Sequence, residues 1–135
     1  MPYTYETNGA AIYKTSFHTI RSESDLKRFD QDEEKVAVRM IHAAGMVGLA
    51  KYIHFSEGFA KTAKAALLNG APILCDARMV SEGITRTRLP ADNEIICTLH
   101  AKGIHDLAQE MKNTRSAAAL ELWRPHLEGA VDAIG

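Results

Sequence analysis

Residues 71–76 read APILCD, a short apolar run set between Asn69-Gly70 and the charged Asp76. The run is too short for an amphipathic helix and its apolar positions do not alternate, so it reads as a strand covered on both faces. Two later stretches have the same character, EIICTL at 94–99 and AVDAI at 130–134. Between the first and second lie a short helical piece at about Arg78–Glu82 and the loop GITRTRLPADN. Between the second and third lie a helix at about Ile104–Met111 and another within NTRSAAALELWRPHL. Strands alternating with helices form parallel βαβ units, so the expected class is α/β, a parallel sheet flanked by helices.

Upstream of the first strand the pattern is helical. Asn8-Gly9 opens an amphipathic helix to about Glu23, with Tyr13, Phe17 and Ile20 on one stripe. Asp30 is a good N-cap, and Asp32, Glu33 and Glu34 suit the positive end of a second helix that runs to about Ala44 and stops at Gly45. Ser56 is expected to cap a third, EGFAKTAKAALL, ended by Asn69-Gly70. No repeat, low-complexity tract or linker interrupts the chain, and its 135 residues suit one domain.

Composition narrows the function. With 16 Lys+Arg against 17 Asp+Glu, the formal charge of −1 provides no overall field toward nucleic acid or an anionic membrane, so an anionic ligand must be held locally. Nor does any basic stripe interleave with aromatics as nucleic-acid binding requires. The uncharged stretches fall well short of the roughly 20 residues that span a bilayer, and MPYTYETNGA lacks the features of a signal peptide, so the cytoplasm is expected. Cys75 and Cys97 sit in apolar runs and read as buried free thiols. Dinucleotide, P-loop and GxSxG signatures are absent. His100 and His105 are five apart and do not share a helix face, so no metal site is expected.

The stretch VRMIHAAGM, residues 38–46, poses the functional question. On a helical wheel Val36, Ala37, Met40, Ile41 and Ala44 fall within a stripe about 140° wide, taken as the core face. His42 then lies nearly opposite, beside Val38 and Gly45. That excludes a histidine satisfied in the core and leaves two readings, a solvated residue or one that faces a ligand. The small Ala43, Ala44 and Gly45 would let something flat approach, and a histidine there is a ready general acid. Because it lies off the stripe, His42→Ala should cost under about 1 kcal/mol.

A second unusual stretch is NTRSAAAL. Ala119, Leu120, Trp123 and Leu127 form a stripe, which makes Asn113 or Thr114 the N-cap and sets Arg115 in the first turn, where a cation opposes the helix dipole. Arg115, the hydroxyls of Thr114 and Ser116, and the free N–H groups of that turn would together grip a carboxylate or phosphate; a solvated arginine is the alternative. In TRTR, Arg86 and Arg88 alternate with Thr85 and Thr87, which directs both arginines to one side if the segment is extended.

AIYKTSF, VRMIHAAG, GAPILCDARMVSEGITRTRLP, NEIICTL and NTRSAAALELW, taken in order, resemble the precorrin-8X methylmutases of cobalamin biosynthesis, the aerobic-pathway branch in particular. The resemblance runs nearly end to end. It implies a flavodoxin-like layered α/β/α fold, a homodimer, no cofactor and no metal. It also implies migration of a methyl group within ring C of a corrinoid, from an α-carbon to the neighbouring β-carbon, converting precorrin-8X to hydrogenobyrinate. Residue by residue, the catalytic histidine corresponds to His42, and substrate-binding positions to Ser16, Thr85 and Arg115. Arg86, Thr114 and Ser116 join them as candidates for the substrate's carboxylates. The family continues past the last strand with a GNAPTAL-like motif, so the single α/β domain of residues 1–135 is expected to be the N-terminal part of a longer methylmutase domain. The rival expectation is a non-catalytic corrinoid-binding module or carrier, which would use the same pocket without turnover.

Overall fold

The computed structural model describes residues 2–135. The chain divides into two compact units, one ending at Lys61 and the other running from Thr62 to Gly135.

The first unit is helical. Helix α1 spans Gly9–Glu23, and the Asn8 side chain caps it by accepting from the Ala11 N–H. Helix α2 spans Gln31–Ala44. Its start carries a complete capping box: Asp30 accepts from the N–H groups of Asp32 and Glu33, and the Glu33 carboxylate accepts from the Asp30 N–H. Gly45 closes α2 in the left-handed region, at φ 66°, where a side chain would be strained. A 3₁₀ helix at Val47–Tyr52 follows.

Ile20, Ala37, Val38, Ile41, Ala50 and Ile53 form this unit's core, with Phe17, Leu26, Phe29, Leu49 and Phe55 packed around it. The core stripe of α2 therefore differs from the wheel expectation. Val38 is 1% exposed, whereas Val36 and Met40 are 39% and 44% exposed and Ala44 is exposed too. Hydropathy alone allowed either flank of Ala37 and Ile41; α1 covers the flank that carries Val38, and the buried stripe is rotated by roughly 80° from the expected one.

Helix α3, Phe59–Leu68, leads out of this unit. It begins two residues later than expected, because Gly58 at φ 71° breaks the helical path and the Phe59 N–H is taken by the Ser56 carbonyl. It ends as expected: the Gly70 N–H donates to Leu67 and the Ala71 N–H to Ala66, the paired bonds of a Schellman motif, with Gly70 at φ 85°.

In the second unit, β1 (Ile73–Cys75), β2 (Ile95–Cys97) and β3 (Val131–Ala133) form a parallel sheet in the order β2-β1-β3. Ile73, Leu74 and Cys75 stand in register with Ile95, Ile96 and Cys97 on one side and with Val131, Asp132 and Ala133 on the other. The central strand is fully buried, as its unbroken apolar run required. Helix α4 (Arg78–Gly83) follows β1, and α5 (Ile104–Glu110) and α6 (Arg115–Glu121) separate β2 from β3. The expected α/β class with a parallel sheet is what forms.

Two polar side chains tie this unit together. Buried Asn93 donates to the carbonyls of Leu67 and Ala71 at 2.9 and 2.8 Å and accepts from the Ala91 N–H at 3.2 Å, linking the end of α3 to the approach to β2. The Thr98 hydroxyl donates to the Ala119 carbonyl at 2.7 Å. Ile104, Ala108, Ala118 and Ala119 form a core between α5 and α6, and Trp123 is buried. The stripe expected on α6 fails at Leu120 and Leu127, which are exposed. The helix stops at Glu121, and a 3₁₀ turn at Arg124–His126 with Pro125 at its start ends the 3.6-residue period the stripe assumed. Among the described residues no helix is long and apolar enough to cross a membrane.

Candidate functional site

His42 lies on the last turn of α2, half-buried, and the geometry there is specific. Its Nδ1 is 2.7 Å from the Ser16 hydroxyl of α1. Its ring stands 5.0 Å from that of Tyr13 and meets the Phe17 ring edge-on at 5.3 Å. Tyr13, Ser16 and Phe17 are spaced i, i+3, i+4, so one face of α1 supplies all three contacts. The position nearly opposite the core, expected from the wheel, is therefore corrected: His42 borders the buried stripe beside Val38, under α1.

The hydrogen bond sorts the two ring nitrogens. When the imidazole is protonated, Nδ1–H donates to the Ser16 oxygen, and Nε2–H is the donor left for a ligand. A ring packed against two aromatic neighbours on one side and tied at one nitrogen is oriented before anything binds, the arrangement a general acid needs.

In the second unit a pocket of about 320 Å³ is lined by Arg78, Ser81, Glu82, Arg86, Ile95, Cys97, His100 and Ala101. Cys97 closes β2 and Arg86 follows α4, so the pocket opens at the carboxyl end of the strands, where parallel sheets build ligand sites. Beneath it, burial pushes the Cys75 thiol up; Cys97 and Asp76 add to this, and Arg86 opposes it. Both cysteines are free, Cys75 buried and Cys97 half-buried rather than buried as expected.

Arg86 thus lines a cavity, whereas Arg88 and Thr85 lie outside its lining. The extended geometry that would have aimed Arg86 and Arg88 together does not form. Arg86–Arg88 is a 3₁₀ turn in which Arg88 N–H donates to the Thr85 carbonyl, and residues two apart diverge on such a turn. Thr114 is the N-cap of α6, its hydroxyl accepting from the Ala117 N–H at 3.1 Å, and Arg115 and Ser116 are exposed in the first turn. Among the described residues no three His, Cys, Asp or Glu side chains group as metal ligands would.

Sequence reasoning missed Tyr13 and Phe17 as partners of His42, reading them only as a core stripe; their spacing with Ser16 was the available signal. It also missed Arg78, which opens α4, and His100, which follows β2; only the folded chain brings them into one lining with Arg86.

A parallel α/β unit with arginine-bearing loops near its strand ends, joined in one chain to a helical unit in which a histidine is bonded to a serine, defines an α/β protein. The family profile described as precorrin-8X methylmutase (CbiC) matches residues 11–135. The chain is 56% identical over 131 residues to a precorrin-8X methylmutase from Pseudomonas aeruginosa, covering 97% of this chain and 63% of the relative. It is 55% identical over 133 residues to one from Sinorhizobium, covering 98% and 63%. Among solved structures, a precorrin-8X methylmutase from Thermus thermophilus superposes with a TM-score of 0.81 at 32% identity, covering 94% of this chain and 62% of that one. The chain belongs to the precorrin-8X methylmutase family. It spans somewhat less than two thirds of the length of these relatives.

Proposed function

We propose that this chain serves a precorrin-8X methylmutase, an isomerase that moves a methyl group within ring C of a corrinoid and yields hydrogenobyrinate, with His42 as the general acid. The observation that supports this reading is the anchored imidazole, with Nδ1 bound to Ser16 and the ring packed against Tyr13 and Phe17; in the proposal Nε2 is the nitrogen that meets the substrate. In the proposed step Nε2–H protonates the conjugated macrocycle, which becomes electron-poor. The methyl bond to the α-carbon breaks as the bond to the neighbouring β-carbon forms, and the proton then returns to His42. Atoms and charge balance without a cofactor, because reactant and product are isomers.

Substrate-binding roles are proposed for Ser16 beside His42 and, in the second unit, for Thr85, Arg86, Thr114, Arg115 and Ser116. The acetate and propionate carboxylates of a corrinoid are the natural partners of guanidinium groups on a chain with no net basic field. A homodimer and a cytoplasmic location belong to the same proposal; sedimentation of the purified chain tests the first. The activity test is conversion of precorrin-8X followed by the absorbance change of the macrocycle. In a full-length methylmutase carrying this chain the wild type is expected to convert it and His42→Ala to bind without conversion. Near-normal turnover by His42→Ala would remove the general-acid role.

A further inference from the structure

One turn before His42 on α2, Arg39 lies with its guanidinium carbon 4.7 Å from the centre of the Phe17 ring and 5.5 Å from that of Tyr13. These are the two rings against which His42 packs. The α1 face that orients the imidazole therefore also holds a cation. A guanidinium lying on aromatic faces is held in place, yet its N–H donors remain at its edge, in the fork that matches a carboxylate.

Its neighbour shows the contrast. Arg21 also approaches the Phe17 ring, at 6.0 Å, but it is engaged with the Glu34 carboxylate at 2.9 Å. Among the described residues Arg39 makes no ion pair. Beside it opens a groove of about 440 Å³ lined by Phe17, Val36 and Val38 with Arg21, Lys35 and Arg39, so that Arg21, already engaged with Glu34, stands on the same rim. Val36, Met40 and Tyr13 are each about two-fifths exposed along this side. An apolar surface edged by Lys35 and Arg39, beside an Arg21 whose charge Glu34 already takes up, matches a flat hydrocarbon ring carrying carboxylates.

We propose that Arg39 is a further substrate-binding residue, holding one carboxylate arm of the corrinoid whose ring is presented to His42; this rests on the reading of His42 given above. Its stacking on Phe17 and Tyr13 makes it a preformed receptor, so the arm it holds helps set which edge of the macrocycle meets Nε2.

The test compares hydrogenobyrinate with its methyl ester, which keeps the ring and removes the carboxylate charges. Binding of each to the full chain is measured by calorimetry for wild type, Arg39→Gln and Arg39→Lys, with melting curves to show that each variant is folded. Arg39→Gln is expected to weaken binding of the acid by about 10- to 100-fold, the range for a hydrogen bond to a charged group, and to leave ester binding within about twofold. Arg39→Lys, which keeps the charge without the fork, is expected to fall between the two and carries the comparison if Arg39→Gln does not fold. Equal weakening of acid and ester would assign Arg39 a packing role and overturn the proposal, as would unchanged affinity for both. Failure of the wild-type chain to bind either corrinoid would remove the reading of His42 as well, whereas normal wild-type binding with an unaffected Arg39→Gln would remove this proposal alone.

Discussion

Ser16→Ala and His42→Ala, made singly and together, would measure the contact on which the proposed chemistry depends. Ser16 and His42 are both half-buried and 2.7 Å apart, so their hydrogen bond is worth about 0.5–1.5 kcal/mol net. Ser16→Ala should therefore cost about 1 kcal/mol. His42→Ala loses that bond and its two aromatic contacts as well, each of the order of 0.5–1.5 kcal/mol, so about 2–3 kcal/mol is expected. The double variant should be little worse than His42→Ala alone, giving a coupling of about 1 kcal/mol. Urea unfolding at one pH, followed by circular dichroism and the fluorescence of buried Trp123, reads all four states. A coupling below about 0.3 kcal/mol would mean that the two side chains are not bonded in solution, and the assignment of Nε2 to the substrate would fall with it. A loss below about 1 kcal/mol for His42→Ala would restore the wheel reading that set this residue opposite the core.

Asn93→Ala removes two donations and one acceptance at a site only 6% exposed, so a loss of about 2–4 kcal/mol is expected in urea unfolding; a loss under about 1 kcal/mol would show that water replaces the side chain. Iodoacetamide at pH 8, followed by mass spectrometry, should modify Cys97 first and Cys75 only on unfolding, and equal labelling would show the central strand to be open. Because burial raises the Cys75 thiol, the unfolded chain gives up that proton more readily. This contribution to stability is present below the ordinary thiol range, about 8.5, and is lost as pH rises above it. Cys75→Ala should remove that part of the alkaline decline in melting temperature. Arg115→Ala should leave stability unchanged or raised by a few tenths of a kcal/mol. The same variant should weaken hydrogenobyrinate binding by about 1.5–3 kcal/mol in calorimetry, and equal affinity would take Arg115 out of the site.

Local chemistry was legible in the residues themselves. Asn8 and Asp30 cap helices because short polar side chains reach N–H groups two or three residues on, and Gly45 and Gly70 end them because the chain there takes positive φ. The continuous apolar run at Ile73–Cys75 marked a central strand because both faces of that strand are covered, and the alternation of strands and helices implied parallel pairing. VRMIHAAG and NTRSAAAL carried the family resemblance in the same way. Several features depended on neighbours that the sequence does not name. Which flank of α2 is buried was decided by α1 packing over Val38, since Val36 and Met40 are no less apolar than the residues that won. The conformation of TRTR was decided by a 3₁₀ turn that sends Arg86 into a pocket and leaves Arg88 outside its lining. The partners of His42 lie more than twenty residues away on another helix. Helix periodicity records a residue's own direction, whereas burial and hydrogen bonding record what stands opposite it, and only the tertiary structure supplies that.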